Sequence, residues 1–228
     1  MDNRVAYRDL GLMPYDECTE LQRRLFDDAL QRKALHLPSE AGTLLMTEHP
    51  PVYTLGKSGK QSNLLVSEEY LRSLGAEFRR TDRGGDITFH GPGQIVCYPI
   101  LDLERTGMGL KEYIEALEQS VIDTVAAFGI VAGRIAGASG VWVDEKSTRP
   151  RKICAIGVRA SRYITMHGLA LNVSTDLSWF DRINPCGFTD RGVTSVERER
   201  GCKTNIEDVK ERLTDALSRN LNVKIYKN

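Results

Sequence analysis

The architecture of this chain is best approached from one segment, Arg83-Gly84-Gly85-Asp86-Ile87-Thr88-Phe89-His90-Gly91-Pro92-Gly93-Gln94, which runs directly into Ile95-Val96-Cys97-Tyr98-Pro99-Ile100-Leu101. The second run is apolar enough for a buried strand. The first puts four glycines and several polar side chains at the entrance of that strand. Glycine weakens an ordinary strand but lets a backbone approach a ligand closely, so the segment predicts a binding wall.

A glycine-rich hairpin is the simpler alternative for part of this segment. Gly84-Gly85 is a common turn dipeptide and, taken alone, favours a turn. Arg83, Thr88 and His90 add a cation, a hydroxyl and an imidazole beside the glycines. Together they favour a site over a turn.

The composition is typical of a globular protein. Of the 228 residues, 41% are apolar and 27% charged, which suits one domain spanning residues 1–228. Lysine plus arginine balance aspartate plus glutamate at 31 each, so nothing electrostatic favours nucleic acid or an anionic membrane as the partner. The N-terminal residues hold no signal-peptide core and no apolar run is long enough to span a bilayer, so we expect a cytoplasmic protein.

Helical patterns occupy four segments. Apolar residues repeat every three or four positions in residues 14–33 and again in residues 110–129. A short helix over residues 67–74 begins with a serine cap. Thr204, with Glu207 three positions later, forms a capping box for a last amphipathic helix.

Strand patterns outnumber the helices and cover residues 44–46, 141–143, 153–160, 168–173 and 223–226. Residues 141–143 and 153–160 resemble a β-hairpin with an eight-residue connection. Because many strands are joined by short turns, we expect an α/β protein of the α+β type. Its sheet should be mixed and largely antiparallel, with helices packed mainly on one face.

Five cysteines are spread along the chain with no C-x-x-C pair: Cys18, Cys97, Cys154, Cys186 and Cys202. An odd, widely spaced set fits neither a disulfide framework nor a zinc site. Cys97 and Cys154 stand in apolar strand runs and Cys18 on a helix face, where thiols pack as small hydrophobes.

Cys186 differs from the other cysteines because it stands in Asn184-Pro185-Cys186-Gly187. Proline restricts the backbone before Cys186, and glycine leaves the backbone after it flexible. We therefore expect this thiol on an accessible loop. A Pro-Cys-Gly turn needs no chemistry to exist, and a purely structural turn remains the alternative.

Lys152 precedes the otherwise apolar run Ile153-Cys154-Ala155-Ile156-Gly157-Val158. Burial lowers the pKa of a lysine from its usual value of about 10.4. A neutral amine would accept a proton from a thiol, whereas a charged one would stabilise a neighbouring thiolate. The alternative is a lysine whose stem lies along the strand end while its amine stays in water.

Several ordered segments carry a family resemblance over most of the chain. They are residues 48–56, 83–103, 140–143, 152–159 and 167–172, and Pro185-Cys186-Gly187 followed by Val193-Thr194-Ser195. Together they resemble the lipoyl(octanoyl) transferase family, also called the lipoate-protein ligase B family. The resemblance implies the mixed-sheet fold of the biotin and lipoate protein ligases.

The same resemblance implies the first step of endogenous protein lipoylation. An octanoyl group would move from the phosphopantetheine thiol of acyl carrier protein to a lysine of a lipoyl domain, in 2-oxoacid dehydrogenase complexes or the glycine cleavage H protein. Cys186 matches the family's nucleophile, which holds the acyl group as a thioester, and Lys152 the residue that activates it. The matching substrate-binding positions are Arg83, Gly84, Gly85, Asp86, Ile87, Thr88, Phe89, His90, Ala155, Ile156, Gly157, Gly168, Leu169 and Ala170. No cofactor, metal or ATP is implied.

The remaining candidates are expected to shape the pocket. Ile87 and Phe89, or their strand neighbours, would line a tunnel for an eight-carbon chain, whose burial contributes about 0.8 kcal/mol per CH₂. His49, His90 and His167 would orient polar groups rather than react.

Two other functions stay open. An ATP-dependent lipoate or octanoate ligase of the same fold would use an adenylated acid and need no cysteine, which Pro185-Cys186-Gly187 argues against. A noncatalytic module that binds acyl carrier protein or lipoyl domains would keep the pocket without turnover, which the pair Lys152 and Cys186 argues against. These two residues are 34 positions apart, so only the fold can bring them together.

Overall fold

The computed structural model of the chain describes residues 3–184 and 192–227. The strands are β1 Arg4–Leu12, β2 Gly42–Glu48, β3 Val52–Leu55, β4 Glu77–Arg80, β5 Ile87–His90, β6 Gln94–Leu101, β7 Gly133–Ile135, β8 Ala138–Val143, β9 Arg151–Ser161, β10 Ile164–Asn172, β11 Gly192–Val193 and β12 Lys224–Lys227. The helices are α1 Tyr15–Ala34, α2 Glu68–Ser73, α3 Leu103–Thr106, α4 Leu110–Ala126, α5 Val196–Arg200 and α6 Ile206–Asn220. Among these described helices, none combines the length and apolar character that crossing a membrane requires.

A large sheet dominates the described part of the chain. Its strand order is β12-β1-β2-β6-β10-β9-β8-β7, with β11 beside β9. β12, β1 and β2 run parallel, as do β11 and β9, while the other neighbours are antiparallel. The predicted mixed, largely antiparallel sheet is therefore confirmed. A second, small sheet has the order β4-β3-β5.

Helices α4 and α6 cover one face of the large sheet. Leu117 and Val121 of α4 and Leu213 and Leu217 of α6 are fully buried in one apolar cluster with strand residues such as Leu169. Their spacing of four residues places each pair on one helix face. Burying a side chain of this kind contributes about 1.5–3 kcal/mol, so this layer is the main core of the chain.

Helix α1 packs on the opposite face, so helices lie on both sides of the sheet rather than mainly on one. Cys18 and Phe26 of α1 are buried against Val96, Met166 and Ala170. The reason lies in β6 and β10, which are buried along their whole lengths. Since successive side chains of a strand point to opposite faces, two apolar faces need two covers.

The glycine-rich segment of residues 83–94 joins the two sheets. β5 pairs with β3 in the small sheet, whereas β6 pairs with β2 and β10 in the large one. Gly91-Pro92-Gly93 makes the crossing. Gly93 has a φ of 78°, and a Cβ at position 91 would lie only 2.5 Å from the ring of Phe89. What the sequence indicated as one strand entrance is therefore two strands of different sheets.

Helix α6 begins one residue later than the capping box predicts. Asn205 is the N-cap, and its side-chain oxygen accepts a hydrogen bond of 3.1 Å from the backbone N–H of Glu207. Thr204 instead donates its backbone N–H to Glu197 of α5 at 2.8 Å. The prediction of Thr204 as cap is wrong because asparagine at the next position caps at least as well as threonine.

Candidate active site

A cavity of about 450 Å³ is walled by both sheets. Its walls come from residues 83–86, from β5 of the small sheet, and from β6, β9 and β10 of the large sheet. Tyr15 at the start of α1, Leu110 and Ile114 of α4, and Trp142 of β8 also line it. The segment that connects the sheets therefore forms part of a pocket.

All the predicted substrate-binding residues except Phe89 line this cavity, and so does Lys152. The ring of Phe89 is fully buried elsewhere, stacked on Trp179 at 5.2 Å and close to Tyr53 at 5.1 Å between centroids. Because side chains alternate along a strand, Thr88 and His90 face the cavity while Phe89 fills the core of the small sheet. The expectation that Phe89 lines the tunnel is corrected for that reason.

The predicted nucleophile Cys186 lies outside the described residues, together with Pro185 and Gly187. The described chain resumes in β11, where Val193 pairs in parallel with Lys152. The next residue, Thr194, donates its backbone N–H to the carbonyl of Lys152 at 2.9 Å. The chain that follows the Pro-Cys-Gly motif is thus fixed to the strand that carries Lys152.

Lys152 is partly buried and lies beside an aromatic ring. Its Nζ is 4.6 Å from the centroid of the Trp142 ring. Gly140 lets β8 approach β9 closely here, since a Cβ at that position would lie only 2.5 Å from the carbonyl oxygen of Cys154, whereas Lys152 Cε would be at ordinary contact distance, 3.4 Å. With a φ of 117°, position 140 also has a backbone conformation that favours glycine.

Arg83 is buried and its guanidinium is held by backbone and hydroxyl oxygens. Its Nη2 donates to Thr54 O at 2.7 Å and Thr54 Oγ1 at 2.9 Å, and its Nη1 to Gly84 O at 3.0 Å. Gly84 in turn donates its N–H to Val158 O at 2.9 Å, which docks the loop on the edge of β9. Gly157 permits this approach, because a Cβ there would lie 2.7 Å from Gly84 O.

A chain of buried hydrogen bonds runs from His90 toward Lys152. His90 Nδ1 donates to Gln94 Oε1 at 2.8 Å, Gln94 Nε2 donates to Asn172 Oδ1 at 2.8 Å, and Asn172 Nδ2 donates to Thr194 O at 3.0 Å. Thr194 is the residue bonded to the Lys152 carbonyl. The network fixes the His90 tautomer and ties the two ends of the cavity wall together.

The buried histidines are neutral at pH 7. Desolvation lowers the pKa of His90 to about 3 and that of His49 to about 4. His167 Nε2 lies 2.7 Å from Asp82 Oδ1. The hydrogen bond from His167 holds the pKa of Asp82 well below its usual range, while burial lowers the pKa of His167, so this pair is a carboxylate and a neutral imidazole. His90 and His167 line the cavity, and His49 supports it from behind through a 2.9 Å hydrogen bond with the Tyr98 hydroxyl.

Sequence reasoning missed several residues of the lining: Tyr15, Gln94, Tyr98, Trp142 and Asn172. Gln94, Tyr98, Trp142 and Asn172 stand in the segments that carry the family resemblance, which was a usable signal. Tyr15 had none, because it stands in an ordinary helical pattern outside those segments.

The chain is similar to proteins with established names. Residues 14–218 match the family described as the lipoyl protein ligase A/B catalytic domain. An octanoyltransferase of Bacteroides fragilis is 54% identical over 205 residues, which cover 90% of this chain and 92% of that protein. Among solved structures, a bipartite lipoate protein ligase of Thermoplasma acidophilum has a TM-score of 0.72 at 17% identity, covering 100% of this chain and 87% of that one. A lipoate-protein ligase A bound with ATP has a TM-score of 0.69 at 17% identity, covering 100% and 89%. At such identities the likeness to these structures shows the fold alone.

Proposed function

We propose that this chain, which belongs to the lipoyl protein ligase A/B catalytic domain family and is an octanoyltransferase, carries the octanoyl group on Cys186 between two partner proteins. The activity rests on relatives named octanoyltransferase, such as those at 54% and 46% identity over 90% or more of this chain. In this proposal the donor is octanoyl-acyl carrier protein. The acceptor is a lysine of a lipoyl domain, the kind of partner that accompanies the Thermoplasma acidophilum ligase.

One observation carries the proposal. Lys152 lines the same cavity as the glycine-rich loop and the β9 and β10 segments that were assigned to substrate binding. The parallel pairing of Val193 with Lys152 anchors the chain seven residues after Cys186 at this wall. These contacts support the inference that Cys186 and Lys152, which are distant in sequence, act at this one cavity.

The first step is a thioester exchange. The Cys186 thiolate attacks the carbonyl carbon of the donor thioester, a new C–S bond forms, and the bond to the carrier sulfur breaks. The carrier leaves as a thiolate, which takes a proton from water. One thioester replaces another, so the step needs no nucleotide, and Lys152 serves to make the attacking sulfur reactive.

The second step makes an amide. The acceptor lysine loses a proton, and its neutral nitrogen attacks the carbonyl carbon of the octanoyl-Cys186 thioester. The C–N bond forms, the C–S bond breaks, and the nitrogen gives up a second proton to solvent. Cys186 returns as a thiolate, and the order of events is ping-pong, with the carrier leaving before the lipoyl domain docks.

The cavity suits an eight-carbon chain. Ile87, Val96, Ile156 and Leu169 supply apolar lining, and the small side chain of Ala170 leaves space beside them. Each buried CH₂ contributes about 0.8 kcal/mol, so the acyl chain alone supplies several kcal/mol of binding. The reduced thiol that this chemistry needs also agrees with the cytoplasmic location expected from the sequence.

The test is to mix the protein with octanoyl-acyl carrier protein in the absence of ATP and to record its intact mass. We expect one octanoyl adduct, mapped by peptide sequencing to Cys186, which disappears when a lipoyl domain is added. Cys202→Ser is the matched control, since Cys202 is an exposed cysteine outside the cavity lining.

Two outcomes would contradict the proposal. An adduct that forms only when ATP and free octanoate are supplied would assign the chain to the ligases. Octanoyl transfer at an unchanged rate by Cys186→Ser would show that the reaction needs no thioester intermediate on Cys186.

A further inference from the structure

We propose that Trp142 is a positioning residue that holds the amine of Lys152 in its ammonium form at a fixed point of the cavity. The inference rests on the activating role proposed for Lys152, and it goes further because it chooses between the two charge states of that lysine. No sequence motif assigned any role to Trp142.

The contact is a cation over an aromatic face. Trp142 and Lys152 are register partners on β8 and β9, and Nζ lies 4.6 Å from the indole centroid. A cation within about 6 Å of a ring centroid is attracted by the negative face of the ring, and tryptophan gives the strongest attraction. Trp142 is 3% exposed, so water screens the contact little on the ring side.

The indole is held in the orientation that this contact needs. Its Nε1 donates to the carbonyl of Ala138 at 3.1 Å. The register between β8 and β9 shifts between Val141 and Trp142, directly after Gly140. Such bulges re-aim side chains beside functional sites.

The bulge has its own support from α4. Glu118 is 7% exposed and accepts a 3.0 Å hydrogen bond from the N–H of Gly140. A buried carboxylate therefore fixes the backbone two residues before Trp142.

Within the described residues, the carboxylates that α4 and α5 bring to β8 and β9 each have an arginine partner. From α4, Glu118 is paired with Arg134 at 3.0 Å, and from α5, Glu199 is paired with Arg151. On β9 itself, burial raises the pKa of Cys154 to about 12, so that thiol is neutral. Val193 of β11 and Thr194, which follows it, carry no charge.

An indole face stabilises an ammonium but has no such attraction for a neutral amine. The geometry therefore favours a charged Lys152, which lowers the free energy of a nearby thiolate, over a neutral Lys152 that abstracts the thiol proton. Trp142 acts through Lys152 and need not touch the substrate.

The experiment weakens the ring face without changing its shape. The chain has two tryptophans, so Trp179→Phe leaves Trp142 alone, and mono-, di- and trifluorotryptophan can then be incorporated at position 142. The pKa of Lys152 is measured in the free protein by competitive amine labelling and peptide mass spectrometry. We expect it to fall stepwise with each fluorine, by about 0.5–1.5 pKa units over the series. The upper limb of the pH profile of kcat/KM should shift by the same amount.

Lys33 provides an internal control, because its Nζ lies 5.5 Å from a tyrosine ring, that of Tyr163, which fluorotryptophan leaves unchanged. A Lys152 pKa that stays flat across the series would overturn the proposal even if activity declined. Trp142→Phe should restore most of the pKa lost in Trp142→Leu, and equal pKa values in these two variants would also contradict it. Full activity of Lys152→Met would instead refute the role of Lys152, whatever the labelling result.

Discussion

The two ends of the cavity treat polar groups in opposite ways. At the Arg83 end, the guanidinium is bonded to Thr54 and Gly84, and His90 is bonded to Gln94. At the other end, Lys152 lies in contact with the face of Trp142. One end fixes its polar groups with oxygen partners, and the other holds a cation against a ring.

Under the proposed function, this difference would separate substrate recognition from reactivity within one pocket. A buried polar group that has all its hydrogen-bond partners and a fixed protonation state forms a rigid part of a binding pocket. Moving it would break those hydrogen bonds, which is unfavourable. Desolvation keeps His90 neutral at pH 7, which removes it as a proton carrier there. A lysine at a strand end beside a π-face can stabilise developing negative charge instead. Variants at the two ends should therefore fail in different ways.

The largest effect should come from the reactive end. Lys152→Met should lower the rate of octanoyl transfer by about 10²–10⁴-fold, the usual range for loss of an acid–base or activating group. His90→Gln at the other end should lower kcat far less and act mainly on KM. Steady-state kinetics of both variants measure the contrast, with the exposed Lys57→Met as control. Equal losses of kcat in Lys152→Met and His90→Gln would contradict the proposed difference between the two ends of the cavity.

The second-largest effect should come from the hydrogen-bond chain that links the two ends of the cavity. Asn172→Leu removes the acceptor of Gln94 and the donor to Thr194 O. Leaving such buried partners unsatisfied costs about 1–3 kcal/mol for each group, so we expect a loss of about 2–4 kcal/mol in unfolding free energy. Urea denaturation measures it.

A double-mutant cycle distinguishes this coupling from simple loss of packing. Gln94→Leu combined with Asn172→Leu should cost less than the sum of the two single changes, because the two partners are removed together. Strictly additive costs would show that the chain does not act as a unit.

Close packing of the glycine loop on β9 gives a third, smaller effect. Gly157→Ala places a Cβ 2.7 Å from Gly84 O, a backbone atom that cannot rotate away. Overpacking of this kind costs about 1–3 kcal/mol, and we expect a higher KM for the octanoyl donor with kcat less affected. Gly109→Ala is the matched control, since its Cβ would meet only the flexible end of Glu112. A normal KM for Gly157→Ala would remove the loop from the binding wall.

The last effect concerns the neutral histidines and the pH dependence of stability, and at pH 7 itself it is the smallest. The pKa of His90 is lowered to about 3 and that of His49 to about 4, so between these values and about 6.5 the unfolded chain binds protons that the folded chain does not. Stability should therefore fall as pH falls through this window, by about 1.4 kcal/mol per pH unit for each histidine. His90→Gln should remove the His90 share of this slope and leave the shares of His49 and of His167, whose pKa is also lowered; denaturant unfolding at pH 7, 6 and 5 measures the change. An unchanged slope would mean that His90 is not the neutral, fully bonded group described here.

Asp82 does not interfere in that window. Its pKa is depressed, so its contribution to stability is present above the usual aspartate value of about 4 and is lost only at lower pH.

Much of the framework followed from short-range patterns in the sequence. The helix over residues 14–33, the hairpin of β8 and β9 and the strand β10 were all predicted from periodicity and turn chemistry. Buried Cys18, Cys97 and Cys154 also agree with their apolar contexts. These features are local, and local rules suffice for them.

What the sequence could not give depends on pairings between distant residues. β1 was missed, and it is held by β2 and β12 rather than by a strong pattern of its own. The separation of β5 from β6 into two sheets depends on their partners in β3, β2 and β10, so the intervening glycines alone did not reveal it. Trp142 stands in an apolar strand pattern, and only the register across the hairpin puts it against Lys152. The resemblance of the motifs suggested roles for individual residues, whereas the structure was needed to show which residues contact each other.

The central claim is that Lys152 makes the sulfur of Cys186 reactive, and the rate of Cys186 alkylation as a function of pH tests it most directly. Iodoacetamide modification, followed by peptide mass spectrometry, should show a thiol that ionises well below the usual cysteine value of about 8.5. The inflection should rise toward that value in Lys152→Met and stay in place in His90→Gln. An inflection that is the same in wild-type protein and Lys152→Met would contradict the account.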